Sequence, residues 1–181
     1  MTEVNIIHSV KTTDTGSEPV AVDEVKQHFV IDFDNHDSII DIMRLASRKL
    51  IESSTGLSLV KKSVVVVATL YENYSLELPY TPMTTLTSVK RIASDGSVGS
   101  ALVAGTDFIN FGAEKEQIAV YNKGLYEIKY ESLLAPVPQD IRLAIMAQTA
   151  YFYEHRGEEF EDKGICLLAE GLLSNYKRNV I

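Results

Sequence analysis

Apolar residues recur at helical spacing toward both ends of the chain and at strand spacing in the middle. That order sets the expected architecture. Val22, Val25 and Phe29 share one face of a short helix. Ile39, Ile40, Met43, Ala46, Leu50 and Ile51 then follow close to the i, i+3, i+4, i+7 template and predict a long helix. Asp34 or Asp37 is placed to cap its N-terminus, and both favour the positive end of the helix dipole. Gly56 is placed to stop it. From Leu57 to Ser132 the pattern changes to short β-branched or aromatic runs: Val64–Val67, Ser75–Leu78, Thr87–Lys90, Phe108–Phe111, Gln117–Tyr121 and Leu125–Tyr130. Turn signals separate them, among them Pro79, Pro82, Asp95-Gly96, Gly105, Gly112 and Asn122-Lys-Gly124. An antiparallel β module of roughly five to seven strands is expected there.

Pro138 opens a second long helix, Gln139 to about His155, proline being favoured in a first turn. Ile141, Leu143, Ala144, Ile145, Met146, Ala147, Ala150, Tyr151 and Phe152 leave it almost no polar face. A helix apolar on most sides is buried on most sides. In a chain this small, that points to burial against a neighbouring subunit as well as its own core. Ile141, Ile145, Gln148 and Phe152 of this helix, with Met43 and Leu50 of the earlier one, are therefore the expected core and subunit-interface residues. Gly157 ends the helix, and Glu158, Glu159, Glu161 and Asp162 form an acidic loop. Gly164 to Tyr176 predicts a last helix with Ile165, Leu168, Leu172 and Leu173 inward.

The resulting fold class is α+β. A small helical bundle, residues 19–56 and 137–176, carries an antiparallel β module, residues 57–136, inserted between its two long helices. Residues 1–18 read as an N-terminal arm, with a short strand at Val4, Ile6 and Ile7 and a turn-rich linker at Thr12 to Ser17. Residues 177–181 read as a C-terminal tail. Arm and tail are the expected mobile parts of a free subunit.

Composition narrows the chemistry. The chain has 181 residues, 45% of them apolar, which suits a globular core and excludes a disordered chain. Its 25 Asp and Glu against 17 Lys and Arg give a net charge of -8, a sign that repels DNA. The single cysteine, Cys166, forms no internal disulfide and no multi-cysteine zinc site, and reads as a small buried hydrophobe in a reducing compartment. Met1 to His8 has no basic start and no long apolar stretch, which argues against a signal peptide. No apolar run reaches the ~18 residues of a membrane span. A soluble protein made and used in the cytosol is the expectation.

Candidate sites weigh lightly. Asp32-Phe-Asp-Asn-His-Asp37 opens like a calcium loop, but His36 stands at the third ligand position, Asp37 in place of the glycine and Met43 where the bidentate Glu belongs. Helix capping is the stronger reading. His8, His28, His36 and His155 show no metal-binding spacing. No phosphate-binding glycine loop and no nucleophile elbow is present. Catalytic residues, metal and cofactor are all expected to be none.

The order of motifs resembles the head–tail connector (adaptor, head-completion) family of tailed bacteriophages. Glu18-Pro-Val-Ala-Val-Asp-Glu-Val-Lys-Gln-His-Phe29 is similar to the family's opening helix, and Asp32 to Asp37 to the acidic stretch after it. Ile51-Glu-Ser-Ser-Thr-Gly56 resembles the end of its long helix. Leu78-Pro-Tyr-Thr-Pro82, Leu86-Thr-Ser-Val89 and Asp95-Gly96 resemble its central hairpin. Val137-Pro-Gln-Asp-Ile-Arg-Leu-Ala-Ile145 and Tyr153-Glu-His-Arg156 resemble its second long helix. One departure is Tyr130-Glu-Ser-Leu-Leu-Ala135, where many members carry an Ala-Gly-Tyr-type turn.

The resemblance implies a ring of subunits, usually twelve, in the virion neck. It would bind below the portal protein, extend the DNA channel without gripping DNA, and dock the next neck or tail-completion protein. It also makes Lys177, Arg178, Asn179, Val180 and Ile181 the candidate portal contact. Alternatives are another phage assembly factor, such as a tail-completion or packaging accessory protein, and more remotely a small cytosolic hydrolase.

Overall fold

A computed structural model describes residues 4–31, 34–72, 74–112, 116–156 and 164–176. The fold is mixed α+β, and the chain divides into two compact units: residues 1–17 with 60–134, and residues 18–59 with 135–181.

The first unit holds all the strands: β1 (Ile6–Asp14), β2 (Lys62–Leu70), β3 (Ser75–Glu77), β4 (Met83–Ile92), β5 (Val98–Ala101), β6 (Phe108–Phe111), β7 (Gln117–Val120) and β8 (Gly124–Ser132). A five-stranded antiparallel sheet runs β1-β2-β8-β4-β5, and a three-stranded one runs β3-β7-β6. Period-two alternation sorts β2 cleanly. Val64, Val66, Ala68 and Leu70 are buried, while Val65 and Val67 on the other face are half-buried. They pack with Tyr126, Ile128 and Tyr130 of β8, Val89 of β4, and Leu76, Phe108, Ile118 and Val120 of the smaller sheet. The buried phenols are satisfied: Tyr130 donates to the Pro79 carbonyl and Tyr126 to the Asn122 carbonyl at 2.6 Å.

β1 differs from the expected arm and linker. The segment continues as a strand through Asp14, pairing with β2 from Ile6↔Thr69 to Asp14↔Lys62, with one irregularity between Ile7 and Ser9. Every residue of it is exposed. A strand at a sheet edge is held by its backbone ladder, so it needs no buried side chains to form. At its end, Lys62 Nζ pairs with Asp14 Oδ1 at 2.5 Å and the Thr15 N–H donates to the Lys61 carbonyl at 2.8 Å. Gly16 lies so close to Lys61 that a Cβ would sit 2.8 Å from its backbone nitrogen.

The second unit holds the helices: α1 (Val22–Phe29), α2 (Asp37–Thr55), α3 (Gln139–Glu154) and α4 (Leu167–Leu172). The Glu24 carboxylate caps α1 by accepting the Ala21 N–H at 2.7 Å. Gly56, at φ 70°, ends α2 as its sequence position predicts. α3 is the centre of the bundle and packs against α1, α2 and α4. From Ile141 to Tyr153 it has no exposed residue, and Ile141, Ala144, Ile145, Gln148 and Thr149 are fully buried. Leu143, Met146, Ala150, Tyr151 and Phe152 on its other sides are half-buried.

α4 corrects the sequence reading. It is shorter than Gly164 to Tyr176, and its inward residues are Ala169 and Leu173 rather than Leu168. The Cys166 N–H donates to Gln148 Oε1 at 2.7 Å, which fixes where the helix begins and so its rotation. Small Ala169 allows close approach, and Leu167 and Leu168 are left 87% and 61% exposed.

Candidate functional site

α2 buries a charged stripe, and only Ile40 and Ile51 of its expected apolar stripe are buried with it. The buried residues are Ile40, Arg44, Ser47, Arg48, Ile51, Glu52 and Thr55. These also recur at helical spacing, so α2 has two stripes, and the one with more charge faces inward. Ile39, Ile42, Ala46, Lys49 and Ser53 line the outward face, with Ile42 66% exposed and Ile39 37%. Met43 and Leu50 stand between the two stripes, half-buried.

Burial of the charged stripe is possible because each charge is paired. Arg48 lies between two carboxylates: Nη1 donates to Glu52 Oε2 at 2.7 Å, and Nη2 and Nε donate to Glu18 at 3.0 and 3.1 Å. Glu52 Oε1 accepts the Leu59 N–H at 2.8 Å. Arg44 donates to the Val20 carbonyl and pairs with Asp41. Ser47 donates to the Met43 carbonyl at 2.8 Å and accepts from Thr149 of α3 at 3.2 Å.

The acidic stretch before α2 proves to be an ion-pair site. Lys26 Nζ sits 2.5 Å from Asp34 Oδ1 and 2.8 Å from Asp37 Oδ1. The hydrogen bond to Lys26, then its charge, holds the Asp34 carboxyl below the usual range, and the two carboxylates push Lys26 up. The expected capping by Asp34 or Asp37 gives way to this pairing. His36 occupies the N-cap position, its backbone carbonyl accepts from Ile39 and Ile40, and its ring meets the Tyr153 hydroxyl. Asp32 lies outside the described residues.

Among the described residues no group of three His, Cys, Asp or Glu is arranged to hold a metal ion. No helix there is long and apolar enough to cross a membrane. Cys166 is half-buried, not a core residue, and lines a cavity of about 680 Å³ with Ser54, Tyr151, Gly164, Ile165, Leu167 and Glu170. His155 bonds the Tyr151 carbonyl at 2.8 Å, and His8 meets Thr69 at 2.7 Å. The acidic loop Glu158 to Asp162 and the candidate portal contact Lys177 to Ile181 lie outside the described residues.

Neither a protein-family profile nor a curated protein sequence matches the chain. Its backbone does find likenesses. A chain from the neck of an empty gene transfer agent particle, computed with C6 symmetry, superposes with a TM-score of 0.73 at 15% identity, over 94% of this chain and 97% of that one. The chain shares the fold of that neck chain. A chain of the native gene transfer agent virion gives 0.71 at 18% identity, over 94% and 96%. A chain of the native particle's neck, computed with C12 symmetry, gives 0.64 at 18%, over 90% and 94%. At these identities the likeness is one of fold, and it spans both units.

Ile141, Ile145 and Gln148 lie inside the helical unit and Phe152 is half-buried. Reading one apolar stripe on α2 missed its outward isoleucines. The signal that finds them is the competing run Arg44, Ser47, Arg48, Glu52 and Thr55, in which arginines stand four residues from each other and from a glutamate.

Proposed function

We propose that this chain is a structural subunit of a phage-type neck, a head–tail connector that assembles as a ring below the portal. The observation that carries this reading is the likeness to neck chains over nine-tenths or more of both partners. The order of motifs from Glu18 to Arg156 supports it independently of the backbone. The subunit works by contact and has no catalytic step. Its ring extends the DNA channel and offers a surface to the next neck or tail protein.

The charge balance fits a conduit. Around a ring, any inward-facing residue is repeated by the copy number, and a belt of Lys or Arg would hold duplex DNA through its phosphates. With 25 acidic against 17 basic residues, a neutral or negative lumen is expected.

The test is electron microscopy of the purified protein, alone at high concentration and mixed with purified portal. Rings, alone or on the portal, are the expected result. A monomer that never joins the portal overturns the reading. Tight, salt-sensitive binding of duplex DNA by the assembled ring would overturn the conduit role.

A further inference from the structure

We propose that copies of this chain join head to tail through the helical unit, Leu167 and Leu168 of α4 in one copy seating on the Ile39, Ile42 and Ala46 stripe of α2 in the next. This contact deepens the ring reading and rests on it.

Three observations lead to it. First, the unit exposes two apolar patches, with Ile42 66% exposed on α2 and Leu167 and Leu168 at 87% and 61% on α4. Large side chains left out of water by nothing in their own unit mark contact surfaces when they cluster. Second, the patches are on different helices, each of which packs against α3. Third, the patches differ in shape. On α2 the small Ala46 lies one turn beyond Ile42, whereas α4 presents two large leucines in succession.

The occupant follows from symmetry. A two-fold contact uses one self-complementary patch and stops at a dimer. Closing a ring by rotation requires two different patches that fit each other. This unit has such a pair, and the structures it resembles were computed with cyclic symmetry. Charge agrees with a wet rim around an apolar centre: Asp41 and Lys49 flank the α2 stripe, and Glu170 follows the leucines on α4.

The test places one cysteine on each patch, Ala46→Cys or Leu168→Cys, in a Cys166→Ser background. These surface positions should leave the melting temperature unchanged. Under mild oxidation, an equimolar mixture of the two variants should form a disulfide dimer several times faster than either alone. The double variant should give a ladder of covalent oligomers. Pairing no faster in the mixture than between Ala46→Cys and a Ser97→Cys control overturns the contact. So does Leu168→Cys coupling, in assembled particles, to a different protein. Micrographs of the wild type separate the two claims: rings without the cross-link overturn the contact alone, and a ladder without closed rings overturns the ring while the contact stands.

Discussion

Arg48 and Glu52 form an ion pair 2.7 Å long in the interior of the helical unit, with their side chains 2% and 3% exposed. One turn of α2 separates them, so the helix sets their approach. Arg48→Met would leave Glu18 and Glu52 without the guanidinium that neutralises them. Removing one partner of a buried pair costs about 3–5 kcal/mol. Urea denaturation should find a loss of that order. In a double-mutant cycle with Glu52→Gln, the two losses should add to far more than the double variant shows. Additive losses would mean that the pair is not coupled.

Lys26 makes the helical unit acid-sensitive. The Asp34 carboxyl is held below its ordinary value of 3.8, chiefly by the Lys26 hydrogen bond. A lowered carboxyl stabilises the fold above its unfolded value and loses that contribution as pH falls through the folded one. Lys26 is raised and stays charged throughout that window. Stability measured from about pH 5 to about pH 2 should therefore fall less steeply in Lys26→Met than in the wild type. Parallel curves would count against the assignment.

Tyr176 predicts the alkaline limb. Its hydroxyl lies 2.9 and 3.1 Å from the two Asp140 oxygens. Burial, then the bond it donates to Asp140, pushes the phenol above its ordinary value of 10.0. A raised group contributes stability that is fully present below its unfolded value and is lost as pH rises through the folded one. Tyr176→Phe should lower stability near neutrality and flatten the decline above about pH 10. An unaltered alkaline slope would show that another group controls it.

Gly16 is required by space. A methyl group there would meet the Lys61 backbone nitrogen at 2.8 Å and its Cβ at 2.9 Å. Gly16→Ala should cost about 1–3 kcal/mol, the range for forcing atoms into a packed site. Amide exchange at Thr15, whose N–H bonds to Lys61, should quicken. Wild-type stability would mean that the strand shifts freely at that point.

Where local pattern and tertiary burial agree, the fold is legible from residues alone. α1 has the range its spacing predicts, Gly56 stops α2, and α3 runs from Gln139 as Pro138 suggests. Legibility fails where burial depends on partners distant in sequence. The inward turn of α2 rests on Glu18 and Leu59 reaching Arg48 and Glu52, which no periodicity within the helix reveals. The rotation of α4 depends on Gln148, eighteen residues earlier. β1 has no inner face, so alternation had nothing to mark. Of the expected core and interface residues, Ile141, Ile145 and Gln148 are fully buried in the helical unit, while Phe152, Met43 and Leu50 are half-buried.

The passage of β1 and β2 through separate parts of the chain has a consequence for synthesis. β1 leaves the ribosome well before its ladder partner, which begins at Lys62, and the sheet is completed only by β8 at Ser132. The helices made in between await α3, which begins at Gln139. Neither unit is a continuous stretch of polypeptide, so neither is finished until its last segment has been made. Nascent chains stalled before Ser132 should therefore remain open to protease along β1.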